Sequence, residues 1–258
     1  MAAIFEGMVS TTVFASFMNR RLSVRKVRDS SRNGLQVKGS DEVARAGLAV
    51  DACIGTFKKA KKAGCDTVIV HHGIFWRGKG TDKGLTLKRV KFLKRSRMSL
   101  YAVHLPLDLH PVYGNNIQLA KMLKLSGVRK FGRYHGIDIG YSGRLRRPTT
   151  AGALARRLNH CLGTDSIVLG FGKRQIRSVG IVSGGGSSVL YETRQKGLDC
   201  LITGEAPHHV YQDAKDMGLN VILAGHYETE TLGVKALGKL IEDEYGIPCV
   251  FIEDVTSI

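Results

Sequence analysis

The run Asp66-Thr67-Val68-Ile69-Val70, which follows Gly64 and passes straight into His71-His72-Gly73, constrains the fold more than any other stretch of the chain. A short β-branched run closed by glycine reads as a strand buried on both faces, and such strands belong to parallel sheets covered by helices. Parallel neighbours in turn require long, usually helical, crossovers. The flanking sequence supplies them. Ile54 to Ala63 reads as a helix stopped by Gly64, and Leu85 to Met98 as a basic amphipathic helix with Leu87, Val90 and Leu93 on its core side. The two histidines then stand at the carboxyl end of the strand, where open α/β sheets place their ligands.

The same alternation runs through the rest of the chain. Ser10-Thr11-Thr12 cap a first helix whose apolar stripe is Val13, Phe14, Phe17, Met18 and Leu22; Asp29 to Gly34 is a turn, Leu35 to Val37 a short extended piece and Val43 to Ala52 a strand. Ser99 to Leu105 is a further strand, so Asp108 is expected on a strand-to-helix loop ahead of a helix from Ile117 to Leu125. Between Gly127 and Gly136 the pattern loses its rhythm, which suggests a boundary between an N-terminal lobe, 1–127, and a C-terminal lobe, 128–258. The second lobe reads as a strand from Ile137 to Leu145, a helix to Leu162 capped by Thr149 or Thr150, and strands at Ser166 to Leu169 and Ser178 to Val182. After Ser183-Gly184-Gly185-Gly186-Ser187-Ser188 come a helix, a strand from Cys200 to Thr203, a helix from His208 to Met217 and a strand from Val221 to Leu223. A helix from Glu228 to Tyr245 and a strand from Pro248 to Ile252 finish it, and the fold class is α/β.

A chain of 258 residues, 43% hydrophobic, can bury a substantial core. It has no run of 18 apolar residues to span a membrane, and Met1 to Glu6 show neither a basic nor a long apolar leader region, so a soluble cytoplasmic protein is expected. Five scattered cysteines with no Cys-x-x-Cys pair read as reduced core thiols. Lys and Arg number 39 against 22 acids, a formal charge of +17. The excess is uneven: Arg77 to Arg97 holds nine basic residues and one acid, and Arg129, Lys130, Arg133, Arg144, Arg146 and Arg147 form a second cluster. Such a surface favours polyanionic partners, nucleic acid or the phosphates of a nucleotide, although no nucleic-acid motif accompanies it.

Imidazole and carboxylate are the ligands that suit zinc, iron or manganese. His71 and His72 would point to opposite faces of a regular strand, but directly before Gly73 that objection weakens, and two ions side by side would use one histidine each. His226 and Glu230, four apart after Gly225, project from one face of a helix, whereas Glu228 points away. Asp108 adds a second carboxylate. His71, His72, Asp108, His226 and Glu230 suffice for two divalent ions, and paired ions imply hydrolysis by an ionised water. Taken singly, each histidine is more often a hydrogen-bonded or surface residue. The glycine loop offers Gly184, Gly185 and Ser187 as phosphate contacts, or is a tight turn only. Glu205 and His209, at the end of another strand with His208, are candidate general acids or bases, or a helix cap and surface histidines.

Asn33-Gly34-Leu35-Gln36-Val37, Val70-His71-His72-Gly73, His104-Leu105-Pro106-Leu107-Asp108 with Gly114-Asn115-Asn116, Thr203-Gly204-Glu205, and Gly225-His226-Tyr227-Glu228-Thr229-Glu230 follow one another in an order that resembles the GTP cyclohydrolase I type 2-like, or Nif-three-like, family. The resemblance spans nearly the whole chain. It implies two Rossmann-like three-layer α/β lobes with a metal-containing cleft between them, a dinuclear centre held by the matching His71, His72, Asp108, His226 and Glu230, and a toroidal homohexamer. His104 matches a family histidine close to that centre, as an outer-sphere residue or occasional ligand. The implied activity is a metal-dependent hydrolase acting on a nucleotide-like substrate, with purine-ring opening of GTP as the named reaction. The alternative is a ring-shaped protein that binds nucleic acid, regulates or carries metal, with a non-catalytic metal site.

Overall fold

The computed structural model describes residues 7–78 and 83–256; Met1 to Glu6, read above as lacking leader features, and residues 79–82 of the basic stretch lie outside them. In chain order the elements are β1 (Val9–Ser10), α1 (Thr11–Arg21), β2 (Gly34–Val37), β3 (Glu42–Val43), β4 (Ala46–Asp51), α2 (Ile54–Lys62), β5 (Thr67–His72), α3 (Lys83–Arg95), β6 (Ser99–Ala102), α4 (Leu105–Asp108) and α5 (Asn115–Met122). There follow β7 (Ser126–Tyr134), β8 (Ile137–Thr149), α6 (Ala151–Leu162), β9 (Ile167–Gly170), β10 (Ile176–Val182), α7 (Leu190–Gln195), β11 (Cys200–Thr203), α8 (His209–Met217), β12 (Asn220–Leu223), α9 (His226–Tyr245) and β13 (Cys249–Phe251). The fold is α/β, as the alternation of the sequence requires.

Chain contacts divide the protein into two compact units, Met1–Leu107 with Gly233–Asp254, and Asp108–Leu232 with Val255–Ile258. Position 127/128, where the sequence suggests a boundary, therefore falls inside the second unit. The stretch that lacks rhythm is β7, an edge strand of mostly exposed residues. Apolar alternation fades there because only Phe131 and Gly132 are buried.

The first unit has a five-stranded sheet in the order β13-β4-β5-β6-β2, parallel except for β2. β5, the strand that opened the argument, is its middle member and is buried through His71. Phe57, Val68, Val70, Leu93, Met98 and Leu100 pack in its core under α2 and α3, while Phe14 of α1 meets Tyr101 edge-on with ring centroids 6.3 Å apart. The apolar stripe of α3 is narrower than expected: Leu93 is fully buried and Val90 packs on the core, but Leu87 is 51% exposed. The helix also ends at Arg95, since Arg97 turns left-handed (φ 52°) to lead Met98 into the core. Ser10 caps α1 by accepting from the Val13 N–H.

The second unit has a six-stranded sheet, β7-β8-β10-β11-β12-β9. β10, β11 and β12 are parallel, and the strands outside them are antiparallel, so this sheet is mixed. Leu119, Leu154, Leu158, Val179, Ile181 and Ile222 lie in its core. The cysteines are free thiols; Cys65 and Cys200 are buried, but Cys161 is exposed on α6 and so departs from the core reading. No helix among the described residues is long and apolar enough to cross a membrane.

Candidate metal centre

In the first unit the carboxyl ends of β5 and β6 bring three histidines together. His71, His72 and His104 each offer a ligand atom, and these atoms lie within 4.8 Å of one another. The ring centroid of His71 stands 4.7 Å from that of His72 and 5.0 Å from that of His104. Strand alternation does not separate the adjacent pair, because the strand stops at His72. The next residue must be glycine: a Cβ on Gly73 would collide with the Gln36 amide and with Ala102. Gln36 Oε1 accepts the Ile74 N–H at 2.8 Å and so fixes the backbone as it leaves His72.

Each of these rings is held through Nδ1. His71 Nδ1 lies 3.0 Å from the Val103 carbonyl oxygen, and His72 Nδ1 lies 2.8 Å from Asp51 Oδ1, its register partner on β4. His104 Nδ1 lies 3.0 Å from Asp29 Oδ1. Asn33 completes the bracket by donating from Nδ2 to Asp29 Oδ2 at 2.8 Å and accepting the His104 N–H at 2.7 Å. Burial alone would push the Asp29 carboxyl up, but hydrogen bonds from His104, Asn33 and the Ser31 N–H, with the His104 charge, hold it down at about 2.

In the second unit Asp108 is the last residue of the single-turn helix α4, where a loop was expected. Its side chain is buried, and Oδ1 accepts from Asn115 Nδ2 at 2.8 Å and from Ser183 Oγ at 3.2 Å. Asn116 accepts the Ser183 N–H at 2.7 Å and donates to the Ile139 carbonyl at 2.8 Å, so the Gly114-Asn115-Asn116 segment positions both Asp108 and the start of the glycine loop. α9 begins at His226, two residues earlier than the sequence suggests, which puts His226 and Glu230 one turn apart. His226 Nε2 lies 3.3 Å from Glu230 Oε2, and His226 Nδ1 lies 2.9 Å from Glu205 Oε1. Burial would lower the His226 pKa, but Glu230 and then Glu205 outweigh it and raise it to about 9. Glu228 folds back over Gly225 instead, as its place on the helix requires.

The glycine loop serves this geometry. Gly184 has φ 61°, and a Cβ there would collide with Glu230 Oε1 and lie 3.0 Å from His226 Nε2. The Gly184 N–H donates to Thr229 Oγ1 at 3.0 Å and the Gly186 N–H to Thr203 Oγ1 at 2.9 Å. Of the three residues offered as phosphate contacts, Gly184 thus has its N–H already engaged. Gly185 is exposed and Ser187 half-buried. Glu205 stands against His226, while His208 and His209 are exposed at the start of α8.

Sequence reasoning passed over Asp29 and Asp51, the carboxylates behind His104 and His72. They sit 75 and 21 positions from their partners, and only the folded sheet pairs them.

Residues 9–257 match the Duf34/NIF3 (NGG1p interacting factor 3) family. A Pyrococcus abyssi protein named GTP cyclohydrolase 1 type 2 homolog is 46% identical over 244 residues, covering 94% of this chain and 97% of that one. A protein of the same name from Deinococcus radiodurans is 38% identical over 252 residues, covering 98% and 96%. Among solved structures, TTHA1606 from Thermus thermophilus superposes with a TM-score of 0.89 at 35% identity, over 97% of this chain and 100% of that one. The protein ybgI, described as of unknown function, superposes with a TM-score of 0.90 at 31% identity over the same shares. With the match running almost from end to end in both sequence and fold, the chain belongs to the Duf34/NIF3 family.

Proposed function

We propose that the protein is a dinuclear metal-dependent hydrolase of nucleotide-like small molecules, with His71, His72, Asp108, His226 and Glu230 as metal ligands. The observation that carries this reading is shared by four histidines: His71, His72, His104 and His226 all have Nδ1 against a carboxylate or carbonyl oxygen. A metal-binding histidine has its other ring nitrogen held in this way, which fixes the tautomer and raises the basicity of Nε2. The donor set, nitrogen and carboxylate oxygen without sulfur, fits zinc, iron or manganese. Divalent ions bound there supply Lewis acidity and an ionised water at neutral pH.

The chain's own residues supply orientation and proton handling. Asp51 and Val103 aim His72 and His71, and Asp29 aims His104. Glu205 holds His226 at Nδ1 while its side chain stays 45% exposed, which suits it to pass a proton between the site and solvent. His209 has no part in this scheme. The name carried by the relatives supports GTP as the first substrate to try, and the family resemblance supports a homohexamer, checked by light scattering.

The test strips the protein with chelator, reloads it with Zn, Mn or Fe, and measures bound metal and turnover of GTP, other nucleotides and pterins. Wild type is expected to hold two ions per chain, and Glu230→Ala and His226→Ala to lose metal while keeping the far-UV spectrum. Equal metal content in all three would overturn the ligand set. Two ions without turnover of any substrate would leave the site and sink the hydrolase.

A further inference from the structure

In the second unit a cleft of about 570 Å³ lies where the end of α5, the last residues of β8 and the first half of α6 meet. Beneath it Leu123, Leu145 and Leu154 are buried, at 1%, 6% and 1% exposed. Its rim is cationic, with Lys124, Arg146, Arg147 and Arg157, and no acidic side chain lines it. Arg157 is held in place by donating to the Met122 carbonyl at 2.9 Å, at the end of α5. Lys124 is set by a left-handed backbone, φ 52°.

This place is remote from the metal ligands of the same unit. β8 runs antiparallel to β10, and Thr149 at the end of β8 pairs with Ile176, the first residue of β10. Ser183 follows the last residue of β10, so the cleft and the Asp108–Ser183 pair sit at opposite ends of that strand, roughly 20 Å apart at about 3.3 Å per residue.

Four cations lining one hollow repel one another, and an anion of matching charge relieves that repulsion. A solvated basic face needs no hollow. A volume of this size falls within the range of about 300–1,000 Å³ usual for small-molecule sites. We propose that the cleft binds a polyphosphate chain, free or carried on a nucleoside, on the Lys124, Arg146, Arg147 and Arg157 rim. Arginine suits the phosphates through paired N–H donors. The site is independent of the proposed hydrolase reaction and of whether metal is bound.

The test uses the full chain, stripped of metal and kept in chelator, and follows a fluorescent ATP analogue by polarisation, with inorganic triphosphate, adenosine and an oligothymidylate as competitors. Binding is expected at low salt, about 50 mM, and should weaken as salt rises. Inorganic triphosphate should compete and adenosine should not. Arg146→Ala with Arg147→Ala, both exposed and outside the metal ligands, should raise Kd about tenfold or more with two charge-assisted contacts gone. Metal content of that variant should stay at the wild-type level, and Glu230→Ala should bind the analogue as wild type does. The proposal is overturned if the analogue does not bind at low salt, or if Glu230→Ala abolishes binding while the arginine pair does not. It is also overturned if the oligothymidylate competes and triphosphate does not, because that pattern belongs to a nucleic-acid surface.

Discussion

Gly184→Ala isolates what the glycine loop contributes, with Gly185→Ala as its control. Gly184 is buried and left-handed (φ 61°), and an added Cβ would collide with Glu230 Oε1 and lie 3.0 Å from His226 Nε2. Gly185 next to it has φ −79°, and its added Cβ would meet only Glu205 Oε1 at 3.7 Å. The left-handed backbone costs an alanine about 1–2 kcal/mol, and pushing the buried Glu230 aside about as much again. The sum, about 2–4 kcal/mol, corresponds to a melting point lower by about 5–15 °C in a chain of this length. Gly185→Ala should shift stability by about 0.5 kcal/mol or less. Both variants, stripped of metal, are melted by circular dichroism; a second sample of each is reloaded and its metal measured. Gly184→Ala should lose stability and metal together. In a Glu230→Ala background the collision with Glu230 disappears, while the backbone part and the tight approach to His226 remain, a coupling of about 1–2 kcal/mol. Equal behaviour of the two glycine variants would refute the reasoning, since a loop built to contact phosphate would not distinguish them in metal-free melts.

Asp51→Asn and Asp29→Asn keep shape but remove the carboxylates behind His72 and His104; metal titration should show affinity weaker by about 10–100-fold for Asp51→Asn, and an unchanged value would mean that the contact does not tune the ligand. Leu93→Ala should cost about 2–5 kcal/mol in denaturant unfolding, while Leu87→Ala, at a 51% exposed position of the same helix, should be close to neutral. Burial pushes the Asp199 carboxyl up, but the N–H groups of Ser178 and Arg177, with Lys173 and the Ser178 hydroxyl, hold it at about 2, below its ordinary 3.8. A depressed acid stabilises the fold above its unfolded pKa and loses that contribution as pH falls through its folded value. Asp199→Asn should therefore cost about 1–2 kcal/mol at pH 7, after discounting for screening, and the gap from wild type should close as pH falls from about 4 toward 2. A gap independent of pH would assign the loss to packing.

What could be read from the sequence was whatever depends on local pattern. The β5 run, the caps at Ser10 and Thr150, and the spacing of His226 and Glu230 are each set within one element, so chain order was enough to find them. The misreadings share a different cause. The rhythm was lost across β7 because an edge strand buries little and needs no apolar alternation, and Leu87 looked like core because periodicity gives the phase of a helix and not how much of its length the sheet covers. The candidate centre divides in the same way. Its donor atoms were legible as residue types at strand ends, but the oxygens that hold each Nδ1 come from Asp29, Asp51, Val103 and Glu205, on four different segments. A histidine becomes a fixed ligand only when a second group fixes its ring, and that group can be supplied from anywhere in the chain. A sequence motif can therefore name the ligands of such a centre, while the residues that set its affinity are found by following each imidazole to its other nitrogen.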